Sequence, residues 1–228
     1  MALQGNAALA MWWDISAGML HEFQDWHSHE HFRERLSIPG FHRATRWQGA
    51  DGGEAFFVMY ELADHAVLSS PAYVTRLNSP TQWSLKMMPH HRNMVRSQCR
   101  ILASVGGSVA GGALTVRFSP EQGQDEELMV KLKNLAAELT TQAGCTGAHV
   151  LRHEAPGIAQ TTEERVRGGD GFADWVVVVV GYDQAKLRGI AESELSHMAL
   201  HRAGAASVPR WDLFTLCHSA VPADFTAP

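Results

Sequence analysis

One order of elements is legible twice between Ala7 and Ser219, and that repetition constrains the fold more than any motif does. The stretch AALAMWWDIS from Ala7 has the apolar and aromatic weight of a strand, and residues 19–35 follow with helix formers and no internal Pro or Gly. Pro39-Gly40 stops that helix, and residues 41–47 and 56–62 then predict a hairpin across the turn Ala50-Asp51-Gly52-Gly53. Helical material is predicted over residues 66–77 and 81–96, broken at Pro80 and Pro89, before a closing strand over 99–105. After the glycine pairs at 106–107 and 111–112 the cycle restarts: strand 113–118, helix 125–141, strands 147–153 and 175–182 across a long polar loop, helix 184–202 and strand 211–219.

Both halves therefore read βαββαβ, which predicts an α+β chain of two tandem ferredoxin-like units, residues 1–107 and 108–228. Little residue identity links the halves, so the repeat rests on the pattern of elements. A four-stranded sheet with helices on one side leaves its other face bare. The sister unit is the natural cover, and two such sheets facing each other predict a barrel-like core within one chain. With 45% hydrophobic and 19% charged residues there is enough apolar material for it.

Several classes are excluded at this level. A net charge of −5 with scattered Lys and Arg offers no basic face to a phosphate backbone, so nucleic acid is not an expected partner. Cys99, Cys145 and Cys217 are an odd number at wide spacing, which argues against a disulfide framework or zinc knuckle and for reduced thiols in a cytoplasmic protein. No apolar run approaches the roughly 20 residues of a membrane span, and the N-terminal segment does not read as a secretion signal. Phosphate-binding glycine loops, the G-x-S-x-G elbow and the H-E-x-x-H metalloprotease pattern are all missing from the sequence.

Residues 26–101 carry a resemblance. Trp26, His27, His31, Glu34 and Arg35, followed by Ser70-Pro71 with Tyr73 and by Pro89, His90, Arg92 and Asn93, are similar to a family of bacterial proteins of the dimeric α/β-barrel type related to EthD-like proteins. Arg33 and His91 depart from the pattern, which has Pro and an aromatic residue there. The resemblance implies the barrel fold. It implies activity only broadly, because that superfamily includes monooxygenases, isomerases, haem proteins and members without a demonstrated reaction.

The candidate site lies on the first helix. Leu20, Phe23, His27, Glu30 and Glu34 form a 3-4 spaced row that begins apolar and turns polar, with Trp26 flanking it and His31 and Arg35 at its edge. Such a stripe cannot be buried dry without partners, so it should border a pocket or reach the surface. The matching helix of the second unit keeps Leu128, Leu132, Leu135 and Leu139 apolar throughout, so a ligand site is expected in the first unit and scaffold in the second. His27 and His31, one turn apart, suit lining an organic-ligand pocket with acid/base work near neutral pH, with plain hydrogen bonding as the main alternative and metal ligation as a lesser one. Trp26, Glu30, Glu34, Arg35, Tyr60, Tyr73, His90 and Arg92 are the expected ligand-binding residues, and Arg43 and Arg46 could join Arg35 and Arg92 on a carboxylate or enolate.

The function expected from these residues is binding of a small organic ligand, with cofactor-independent proton transfer or oxygenation of an aromatic or acidic compound as the enzymatic version. A non-catalytic accessory protein is the alternative, and haem, held by one of the histidines, is a third. No metal or other cofactor is expected. Any homodimer would use the outer surfaces.

Overall fold

A computed structural model describes residues 2–50 and 55–225; of the predicted 50–53 turn, all but Ala50 lies outside the described residues. The first half supplies β1 (Ala7–Ile15), α1 (Leu20–Trp26), a π-helical turn (His27–His31), α2 (Phe32–Leu36), β2 (Phe41–Gly49), β3 (Phe56–Leu62), α3 (Pro71–Asn78), α4 (Gln82–Met87) and β4 (His91–Gly106). The second supplies β5 (Gly112–Phe118), α5 (Asp125–Leu139), β6 (Cys145–His153), α6 (Thr162–Arg167), β7 (Trp175–Gly181), α7 (Gln184–Glu192), α8 (His197–Ala203) and β8 (Arg210–Ala220).

The strands close into one antiparallel barrel in the order β1-β3-β2-β8-β5-β7-β6-β4. Within it β4-β1-β3-β2 and β8-β5-β7-β6 are equivalent ferredoxin-like sheets, joined by β4 pairing with β6 and β8 pairing with β2. Closure removes the open edges that either sheet alone would present. The β4–β6 seam is tight: a Cβ on Gly147 would stand 1.8 Å from the Gly107 carbonyl oxygen, so only glycine fits.

Alternation sorts the strand residues. Ala8, Ala10 and Trp12 of β1 point into the barrel with Trp47, Phe57, Val176, Val178, Val180 and Phe214, while Ala7, Leu9 and Trp13 face the helices. The Phe57 ring is stacked between Trp12 and Trp47, 5.1 Å from each centroid, and the Trp12 indole N–H donates to Thr115 Oγ1 of the other half at 3.1 Å. The barrel interior is thus one core built by both halves.

Two expectations about elements are corrected. The helix predicted over 81–96 ends early, and the chain is extended from His91, because β4 is long enough to serve both β1 and β6. The polar loop between β6 and β7 is not plain loop: α6 forms within it and packs on α3 and β4 of the first half. Gly171 pairs with β4 through Arg96 N–H and Met94 carbonyl bonds of 2.8 and 2.9 Å, which holds this segment down.

Replacing Phe57 with Ala empties the centre of the stack and should cost about 3–5 kcal/mol. Urea unfolding followed by far-ultraviolet circular dichroism and by tryptophan fluorescence should show one coincident transition. Two separated transitions would mean the halves fold independently.

Candidate functional site

The π-helical turn sets the site. It inserts one extra residue into the first helix, so the inward positions after it slip by one. The stripe predicted through Glu30 and Glu34 runs instead through Phe23, Trp26, His27, His31, Phe32, Arg35 and Leu36, all buried. Leu20 is displaced outward, and Glu30 and Glu34 move to the flank. Glu30 accepts hydrogen bonds from Trp26 Nε1 at 3.0 Å and from Thr81 Oγ1, the α4 cap, at 2.6 Å. Glu34 lies 3.1 Å from Arg76 and 4.0 Å from His31 Nδ1.

A second one-residue insertion lies across from it. Between the pairs Trp12–Val95 and Asp14–Arg92, β4 carries two residues opposite Trp13 alone, and Asn93 takes the left-handed conformation with φ +56°. The bulge turns both His91 and Met94 toward the helices and leaves Arg92 and Asn93 exposed. His91 therefore occupies the place expected of His90, while His90 is only half-buried and Arg92 faces away from the site. Sequence reasoning missed His91 because it placed residues 81–96 in a helix.

His27, His31 and His91 line a chamber of about 20 Å³ with Trp13, Trp26 and Tyr60, closed by Met88, Met94 and Arg167. The His27 and His31 rings stack at 5.2 Å, Trp26 lies 4.5 Å from His31, and Trp13 lies 5.2 Å from His91. His91 Nδ1 faces the carbonyls of Met87 and Met88 at 3.2 Å, so it carries the hydrogen and leaves Nε2 as acceptor. By contrast Trp13 Nε1, His27 Nδ1, His31 Nδ1 and the Tyr60 hydroxyl are buried with no hydrogen-bond partner. Each such orphan costs about 1–3 kcal/mol unless it finds a partner, so four around one chamber mark it as the candidate site.

The remaining expected residues are placed as follows. Arg35 is buried and paired with Glu163 of α6 through Nη2 bonds of 2.5 and 2.6 Å, which holds its guanidinium strongly in the charged form. Tyr73 is buried against Phe41, and its hydroxyl accepts from Arg96 at 2.6 Å, so it stands behind the chamber. Arg43 is tied to Glu61 and Ser108, and Arg46 donates to Ser28 at 3.0 Å. The four arginines do not converge. Glu163 and Arg167 come from the second half, so both halves contribute side chains around the candidate chamber. Their place could not be read in sequence, because it depends on a loop crossing from one half to the other.

Among the described residues no three His, Cys, Asp or Glu side chains converge as a metal set. A chamber of about 20 Å³ holds about one water and does not admit a porphyrin, so the histidines do not fit haem as they stand. Described helices include none long and apolar enough to cross a membrane.

Burial pushes the imidazolium forms of His27 and His31 far down, with Arg46 and Arg35 respectively adding repulsion, and lowers His91 to about 3. Burial raises the Tyr60 phenol. The chamber is thus lined by neutral donors and acceptors at pH 7. In the unfolded chain each histidine titrates near 6.5, so below that value the unfolded state holds the extra protons. Stability is full above about pH 7 and should fall by up to about 1.4 kcal/mol per pH unit for each histidine as pH drops toward 4. His149, lowered to about 4 by burial, adds to the same slope. Urea midpoints at pH 7.5, 6 and 5 check this, and His91→Phe should make the dependence shallower; a flat wild-type profile would mean that water reaches these rings.

No protein-family profile matches the sequence, and no curated protein matches it. Solved structures match in fold. A candidate monooxygenase from Fusobacterium nucleatum superposes with a TM-score of 0.62 at 8% identity, covering 95% of each chain. A candidate monooxygenase from Lactobacillus acidophilus gives 0.59 at 7% identity over 96% of this chain and 97% of that one. An uncharacterised ferredoxin-fold protein from Listeria monocytogenes, described as related to antibiotic biosynthesis monooxygenases, gives 0.51 at 7% identity over 95% and 97%. At these identities the likeness is one of fold, and it gives the chain the ferredoxin-fold α/β-barrel architecture that its own strand order describes.

Proposed function

We propose that the chain binds a small hydroxylated aromatic molecule whose uncharged hydroxyl end enters the chamber between α1, the π-helical turn and β4. The observation that carries this reading is the set of four unpartnered buried polar atoms on Trp13, His27, His31 and Tyr60, set among aromatic and methionine side chains. Ring walls suit a flat apolar body, and neutral donors and acceptors suit a hydroxyl or carbonyl oxygen. A formal charge would have to be desolvated here, which neutral imidazoles do not compensate.

Catalysis by proton transfer is the second reading, and one feature favours it. His31 Nδ1 stands 4.0 Å from Glu34, which reaches the surface beside Arg76, so a proton leaving the ligand for the stacked His27–His31 pair has an outlet. Burial holds the Glu34 carboxyl above its usual range, so it is closer to accepting a proton than an exposed glutamate. Without turnover the same chamber serves a binding or accessory protein.

The test uses 4-nitrophenol, whose neutral and ionised forms differ in colour. Added protein should bleach the phenolate band and quench Trp13 and Trp26 fluorescence. His27→Leu should weaken binding at least about tenfold, the loss of one buried hydrogen bond, with an unchanged circular dichroism spectrum. No bleaching and no quenching at millimolar probe would overturn the reading. Dioxygen uptake with the probe would move it to oxygenation, the activity attributed to two of the fold neighbours.

A further inference from the structure

A second, larger cavity lies on the other side of Arg167. It is an open cleft of about 260 Å³ between β4 and the segment that carries α6, and its wall includes Arg96, His153, Ile158, Asp170 and Phe172. Arg167 lines the chamber and Asp170 lines the cleft, and the two are joined by bonds of 3.0 and 2.6 Å, with Glu163 also 3.7 Å from Arg167. A swing of that pair would merge the spaces into roughly the 300 Å³ at which small-molecule sites begin.

The cleft has a defined chemistry. Its wall is apolar at Ala155, Pro156 and Ile158, and Phe172, 61% exposed, stacks on His153 at 4.5 Å and offers a free ring face. Into this surface comes Arg96, whose Nη2 donates to the Tyr73 hydroxyl at 2.6 Å and which has no carboxylate within ion-pair distance among the described residues. Arg35, Arg43, Arg117 and Arg167 each have one. Of the two acidic side chains in the wall, Asp170 is held by Arg167, and Glu164 lies in the α6 segment.

We propose that this cleft is the outer half of one binding site and takes the carboxylate of a hydroxylated aromatic acid at Arg96, while the hydroxyl end enters the histidine chamber. This rests on the chamber reading above and narrows it to an aromatic hydroxy acid of one or two rings. A guanidinium with free donors recognises a carboxylate in two-point fashion, and the exposed Phe172 face supports the ring between the two ends. The Arg167–Asp170 pair is the part that must move.

The test compares 6-hydroxy-2-naphthoate, its carboxamide and 2-naphthol by quenching of tryptophan fluorescence on the full chain. The acid should bind at least about tenfold more tightly than the amide or the naphthol, as expected for one charge-assisted pair. Arg96→Gln should remove that advantage and leave 2-naphthol binding unchanged, Arg96→Lys should keep part of it, and Glu164→Gln should enlarge it. The acid–amide comparison needs no variant, so it holds even if Arg96→Gln does not fold. Binding of 2-naphthol with no preference for the acid would overturn the cleft assignment and leave the chamber reading intact; no binding of any of the three would overturn both.

Discussion

Closure of the barrel is the constraint on which the rest depends. Because β4 pairs with both β1 and β6, and β8 with both β5 and β2, neither half keeps a free sheet edge or a separate interior. The stacked Trp12, Phe57 and Trp47 rings face Val176, Val178 and Phe214 across that interior. The same closure brings the end of β6 beside β4, so the chain leaving β6 crosses onto the first half before it returns as β7. The candidate site is completed by that crossing.

Two insertions of one residue each then shape the site. In a regular helix Glu30 and Glu34 would face the sheet, and burying both carboxylates would be costly. The π-helical turn sends them to the flank, where Thr81 and Arg76 meet them, and brings His31 and Arg35 inward. The β4 bulge does the corresponding work on the opposite wall by aiming His91 and Met94 at the same point. π-turns and bulges both give up regular hydrogen bonding, and both tend to occur beside functional sites.

The electrostatics follow from dryness. The chamber holds its histidines neutral through burial, with cationic neighbours pushing the same way, while the charged groups around it are satisfied in pairs: Arg35 with Glu163, and Arg167 with Asp170. Breaking such a buried pair strands a charge, so these contacts fix the α6 segment against the first half. The unpartnered atoms that line the chamber itself belong to uncharged groups, an indole, two imidazoles and a phenol, while Nη1 of Arg35 and Nε of Arg46 are also left without a hydrogen-bond partner nearby. Arg96 in the outer cleft is the charged counterpart, held by a phenol rather than a carboxylate.

The sequence by itself determined the two βαββαβ halves and most of their strands and helices, and it pointed to a candidate site on the first helix, because strand and helix periodicities and Gly/Pro breaks are local signals. His27, His31, Trp26 and Tyr60 were legible as a group for that reason, and the structure brings them together at one chamber. Which neighbours joined them was decided only in three dimensions. An extra residue in a helical turn or a strand leaves almost no trace in composition, yet it exchanged Glu34 for Arg35 and His90 for His91. Glu163 and Arg167 lie more than 120 positions from the first helix in a stretch that reads as polar loop, and only the packing of that stretch on α3 and β4 of the first half brings them to the candidate site.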